Sequence, residues 1–198
     1  MKIEIGRGVG ANLASVPILC GSHWVDLSGS QHSTDKCFSY IEGEWHHFAT
    51  MIKKRVDAAG IVYNNSFHIV GGFDANTGNT HLKSSEIINA DGSTTEGPEL
   101  PVIMGHGHGI SFINSTVSII TGGYTNGYTD KTWYFNHVTQ EFQQGPNMLE
   151  SRRGHAYGTI IDQETKEKMA IVTGGYADHG GFMDSTEIFL NGQWVTGR

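Results

Sequence analysis

The chain is short of charge. Of its 198 residues only 17 % are Asp, Glu, Lys or Arg, where about 25 % is ordinary, and that shortage argues against many solvent-exposed helices. An excess of basic residues is also missing: 13 Lys and Arg face 20 Asp and Glu, a formal net charge of −7. A phosphate backbone is therefore an improbable partner, and neither DNA nor RNA is expected to bind. No stretch reaches 18 uninterrupted apolar residues, and Met1-Lys2-Ile3-Glu4-Ile5-Gly6-Arg7 has no apolar core of the kind a leader peptide carries. Membrane association is not expected. Cysteine is scarce too. Cys20 and Cys37 alone do not make a disulfide framework, so a cytoplasmic location is the default. Neither a nucleophile elbow nor a zinc-protease helix motif is present.

Glycine, by contrast, is abundant, at 27 residues. It is also periodic. Gly71-Gly72, Gly122-Gly123 and Gly174-Gly175 each follow a short run rich in β-branched residues, and their first glycines lie 51 and 52 residues apart. Cys20-Gly21-Ser22, 50 residues before Gly71, is the same mark with its second glycine replaced. The runs before the marks are 16–19, 67–70, 117–121 and 169–173, and their composition reads as strand. Earlier still lie 57–62, 107–112 and 154–159, joined to them through Asn64-Asn65-Ser66, Asn114-Ser115 or the longer 162–168, which is expected to protrude. Such Asn and Ser pairs are hairpin turn chemistry.

After each mark come about ten polar residues and a third run: 37–40, 86–88, 133–135 and 187–189. A fourth run is marked by an aromatic. Phe142 and Trp194 each stand 20 residues after their first glycine and Trp45 stands 24 after Gly21, while the second repeat offers Thr94-Thr95 there. Four strands in each of four units, 7–54, 55–103, 104–150 and 151–198, use nearly the whole chain as one repeat array.

This pattern resembles the kelch repeat, the blade of kelch-type β-propellers, whose period is about 50 residues. The segment Arg152-Arg153-Gly154-His155-Ala156 is similar to that family's entry into its first strand. Arg55 holds the matching place in the second repeat, and Gly107-His108-Gly109 keeps the His without the Arg. The resemblance implies an all-β fold of about four blades, each of four antiparallel strands, in an incomplete or open ring. It also implies that the chain is a piece of a longer protein, an arc that self-associates, or a diverged copy that is only partly stable. In that reading the glycines 71, 72, 122, 123, 174 and 175 are structural, and the rings of Trp45, Phe142 and Trp194 cover glycine backbone inside the blades. Gly71, Gly72, Gly122, Gly123, Gly174 and Gly175 open polar loops rather than helices, which argues against nucleotide binding.

Function is expected in the loops that follow the marks, at 22–36, 73–84, 124–131 and 176–185, where rigid strands present variable side chains. The candidate residues for a protein partner are Asp74, His81, Tyr124, Tyr128, Arg152, Arg153 and His179. The expected role is a non-catalytic interaction module, scaffold or adaptor, without cofactor or metal. The alternative is an enzyme or carbohydrate-binding propeller of the oxidase or epimerase type. That alternative would gather His106, His108 or tyrosines around a metal, for which one-residue spacing in a strand is suitable. His46 and His47 point to opposite faces and cannot share an ion. Cys20 and Cys37 would be neighbours if their strands paired, and Asn64 and Asn114 open glycosylation sequons on turns, which suits an exported protein.

Overall fold

A computed structural model describes residues 6–78, 80–178 and 181–197. The chain forms two compact units, Met1–His106 and Gly107–Arg198. In the first, β1 (Val9–Leu13), β2 (Val16–Cys20), β5 (Lys36–Ile41) and β6 (Glu44–Thr50) make one antiparallel sheet in that order. Between β2 and β5 lies a small hairpin of β3 (His23–Val25) and β4 (Gln31–Ser33). The second sheet contains β7 (Ala59–Tyr63), β8 (Ser66–Val70), β11 (Ser85–Asn89) and β12 (Thr94–Glu96), with β9 (Phe73–Asp74) and β10 (Thr80–His81) as its small hairpin. The second unit repeats the scheme with β13 (Gly109–Phe112), β14 (Val117–Thr121), β15 (Thr132–Asn136) and β16 (Glu141–Gln144). Its last sheet is β17 (Ala156–Ile161), β18 (Lys168–Thr173), β19 (Thr186–Leu190) and β20 (Gln193–Thr196). Among the described residues every four-stranded sheet comes from one continuous stretch of chain. The fold is all-β, with four blades of four antiparallel strands each.

Local chemistry explains the strands. Asn64 and Asn65 both take positive φ, 47° and 58°, the paired left-handed conformation that a two-residue hairpin requires and that Asn tolerates. Inside the first unit, Leu13, Ile18, Met51, Phe67, Ile69 and Ile88 form the apolar core. In the second, Ile119, Met148, Ala170, Val172, Phe189 and Trp194 do so. Each fully buried Ile or Phe contributes about 1.5–3 kcal/mol. The loops after the glycine marks are more ordered than their polarity suggests, since two hold the small hairpins and two hold isolated bridges, Tyr124 to Tyr128 and Tyr176 to Phe182.

Two expectations about packing change. The outer-strand rings do not lie on the glycines; they pair across the strand with the third run, Phe142 stacking on Phe135 at 4.7 Å and Trp194 meeting Phe189 at 5.3 Å. What approaches the glycines is main chain. A Cβ on Gly21 or Gly122 would come within 2.3 or 2.4 Å of the carbonyl oxygen of Arg55 or Arg152, and one on Gly175 within 2.6 Å of that of Arg153. Trp45 is the second correction. It is 38 % exposed beside the equally exposed Tyr40, because a bulge between Cys37 and Phe38 shifts the β5–β6 register and Phe48 packs against the core instead.

The segment between one blade's outer strand and the next blade's inner strand adds a device hidden from composition. Two residues before each inner strand, Arg7, Asp57, Gly107 and Gly154 all take positive φ, between 50° and 68°. The Asp57 N–H donates to the Arg7 carbonyl at 3.0 Å, and the Gly154 N–H to the Gly107 carbonyl at 2.7 Å. In each unit this bond ties the second blade's entry to the first's. Cys20 and Cys37, opposite one another in β2 and β5, are joined as a disulfide.

These burials predict a contrast. Trp194→Ala costs about 3–5 kcal/mol in denaturant unfolding, the range for an aromatic removed from a core, while Trp45→Ala stays within about 1 kcal/mol. Equal losses at the two positions would contradict this packing.

Candidate binding surface

The candidate residues are held by a polar clamp that repeats in both units. Arg152 is fully buried. Its Nη1 donates to the carbonyls of Gly174 (3.1 Å) and Ser185 (3.2 Å), and its Nη2 to Ser185 Oγ (3.1 Å) and Glu187 Oε1 (2.7 Å). Glu187 in turn accepts the N–H groups of Leu149 (2.7 Å) and Glu150 (3.1 Å). Arg55 does the same with Gly71, Ser84 and Glu86, and Glu86 accepts the N–H groups of Ile52 and Lys53. An ion pair this deep persists because nearly every donor and acceptor finds a partner. Arg152, expected at a partner surface, is therefore a structural residue, since its guanidinium faces the blade interior and not solvent.

Arg153, the next residue, faces the other way. Its backbone pairs with Tyr176, N–H to carbonyl at 3.1 Å and 2.9 Å in the two directions. Its guanidinium carbon lies 4.9 Å from the ring centre of Tyr124, 5.5 Å from Tyr128 and 5.6 Å from Tyr176. Tyr124 and Tyr128 touch edge to face at 5.2 Å, and Tyr176 lies 4.7 Å from Phe182. Tyr176 is 41 % and Phe182 82 % exposed. Each ring facing the cation is worth about 0.5–1 kcal/mol where solvent reaches it. Tyr124, Tyr128, Arg153, Tyr176 and Phe182 thus meet in one aromatic and cationic patch at the glycine end of the second unit.

In the first unit Val56 occupies the place of Arg153 and pairs with Phe73. Arg7 lies 5.4 Å over the Phe73 ring, and His81 Nε2 is 3.1 Å from His106 Nδ1. Burial lowers the His81 pKa from its ordinary value. Asp74 is used within the loop: its carboxylate accepts Ser33 Oγ at 2.6 Å and caps the short turn Ala75–Thr77 through the Asn76 N–H at 2.9 Å. His179 lies outside the described residues. Of the sequence candidates, the structure brings Tyr124, Tyr128 and Arg153 together, keeps Asp74 and His81 in the first unit, and buries Arg152. Tyr176 and Phe182 were missed as individuals, although Tyr176 follows Gly175 as Tyr124 follows Gly123.

His106 meets His81 and Phe73, while His108 is 2 % exposed. Among the described residues no group of three or more His, Cys, Asp or Glu side chains is placed to hold a metal ion. Two open clefts in the second unit, about 460 and 650 Å³, are lined by residues such as Ile113, Lys168 and Phe189 or Tyr134 and Phe142. Neither includes the aromatic patch.

No family model matches the chain. Kelch-like protein 23 of Pongo abelii and of Homo sapiens are each 28 % identical over 79 residues, which is 40 % of this chain and 13 % of theirs. The chain spans about an eighth of the length of these relatives. The solved structure of YjhT superimposes with a TM-score of 0.77 at 12 % identity, covering 97 % of this chain and 70 % of YjhT. The fold is that of a kelch-type propeller.

Two buried histidines set the pH response. Burial holds His68 down at about 4, and burial with the nearby Arg152 and His108 holds His155 at about 3, both against 6.5 in the unfolded chain. Below pH 6.5 the unfolded chain takes up protons that the folded chain refuses, so stability is highest above 6.5 and falls on acidification towards 4. Each histidine removes up to about 1.4 kcal/mol per pH unit over that window. His155→Gln should make the decline between pH 6.5 and 4.5 shallower in urea unfolding; an unchanged slope would refute the assignment.

Proposed function

We propose that the chain is a non-catalytic module that binds a partner protein through the glycine-end loops of its blades, with the Arg153 patch of the second unit at the centre of contact. The observation that carries this reading is the guanidinium held over Tyr124, Tyr128 and Tyr176 beside the exposed Phe182. Arginine and large aromatics dominate the binding energy of protein interfaces, and rings fixed before binding lose little entropy when they are covered. The net charge of −7 supports a protein partner over a nucleic acid. Scaffold or adaptor roles fit this reading.

The compartment is part of the proposal. Two cysteines pointed to the cytoplasm, but the Cys20–Cys37 bridge supports an oxidising compartment. No helix among the described residues is long and apolar enough to cross a membrane.

The test is affinity. A partner captured from source-cell extract is purified and titrated against the chain and its variants. Arg153→Ala and Tyr176→Ala each weaken binding about 30-fold, as a hot-spot loss near 2 kcal/mol requires. Lys166→Ala, in the turn between β17 and β18 at the opposite end of the blade, leaves affinity unchanged. Unchanged affinity in both loop variants would overturn the proposal, as would specific DNA binding at physiological salt.

A further inference from the structure

We infer that Asn114 is an N-glycosylation site, with Asn64 a second and less occupied one, and that the glycans stand at the end of the blades opposite the glycine loops. Asn114-Ser115-Thr116 and Asn64-Asn65-Ser66 are sequons in the turns joining β13 to β14 and β7 to β8, and both asparagines are exposed. A sequon alone is weak, since Asn and Ser are ordinary turn residues. Two further observations carry it. The Cys20–Cys37 disulfide belongs to chains that fold in an oxidising compartment, where the transfer of glycans to sequons also takes place.

The second observation is the local geometry of Asn114. Its Oδ1 accepts the N–H groups of Thr116 at 2.9 Å and Val117 at 2.7 Å and the Thr116 hydroxyl at 3.4 Å. These contacts fix the oxygen edge of the planar amide against the turn and leave Nδ2 on the outward edge. At Asn64 the sequon hydroxyl is used elsewhere, because Ser66 Oγ donates to Asn89 Oδ1 at 2.8 Å. That difference ranks Asn114 first. A cleft of about 460 Å³ bounded by Ile113, Lys168 and Phe189 adjoins Asn114 and has room for the root of a glycan.

The step is redox-neutral. Asn114 Nδ2 attacks the anomeric carbon of a polyprenyl-pyrophosphate-linked oligosaccharide. The N–C bond forms, the C–O bond to pyrophosphate breaks, the pyrophosphate leaves with that electron pair, and the amide nitrogen gives up one proton. The placement is compatible with the binding reading but does not depend on it, because within the second unit the Asn114 turn and the Arg153 patch lie at opposite ends of the strands.

The experiment uses protein isolated from its source. Peptide-N-glycosidase digestion in heavy-oxygen water, followed by peptide mass spectrometry, should convert Asn114 to labelled Asp and label Asn64 to a lower fraction. In a secretory host, Thr116→Ala, which keeps Asn114 and its backbone contacts, should abolish the enzyme-sensitive gel shift due to Asn114 without changing the unfolding midpoint. Asn114 recovered unmodified from the source protein would overturn the inference whatever the state of the cysteines, and so would a shift that survives Thr116→Ala at that site.

Discussion

Everything at the glycine end of these blades depends on the close passage of main chain over the glycine pairs. The carbonyls of Arg55, Arg152 and Arg153 occupy the space where the side chains of residues 21, 122 and 175 would begin. Because Gly21, Gly122 and Gly175 also have positive φ, 67°, 63° and 95°, any other residue at these three positions meets both a collision and an unfavourable backbone. The repeat spacing is thus a record of where the chain crosses itself. Within each unit it sets the main chain of Arg55, or of Arg152 and Arg153, against the glycines, and the buried arginines then reach from those segments into the blade.

The clamp alternates. Arg55, Ser84 and Glu86 in the second blade match Arg152, Ser185 and Glu187 in the fourth. The first and third blades have Lys36 and Phe38, or Lys131 and Trp133, at the corresponding strand positions. Each compact unit therefore contains one clamped and one unclamped blade, joined by the hydrogen bond between the positive-φ residues at their entries. Scaffold and surface are separable here. The residue after the buried arginine is Val56 in one clamp and Arg153 in the other, so the same backbone presents an apolar contact in one unit and the cationic patch in the other. That separation is the general condition for grafting function onto a fold.

How much of this was legible in the sequence follows from the physics of each feature. Glycine marks and β-branched runs are strictly local signals, and the four blades and nearly all their strands could be read from them. Phe142 and Trp194 were placed on the right strands, yet what they touch is decided by cross-strand register, and at Trp45 a single bulge reversed the outcome. Arg152 and Arg153 are chemically identical neighbours, and only opposite backbone directions send one into the core and the other onto three tyrosines. The entry segment Arg152-Arg153-Gly154-His155-Ala156 carries no sequence signal of this division. Glu86 and Glu187 went unremarked, although each occurs in the same repeats as its arginine partner, which was the available clue. The positive-φ position escaped notice because Arg7 and Asp57 occupy it in half the repeats where glycine would have announced it.

The central claim is that a buried glutamate fixes the inter-blade segment from which Arg153 is presented. Amide hydrogen exchange at Leu149 and Glu150 tests it most directly, since their N–H groups end on Glu187. The account predicts that both amides exchange only through global unfolding in the native chain, and that Glu187→Gln accelerates them more than it accelerates the amides within β14 and β18. Exchange of Leu149 and Glu150 at the rate of an open peptide in the native chain would contradict it.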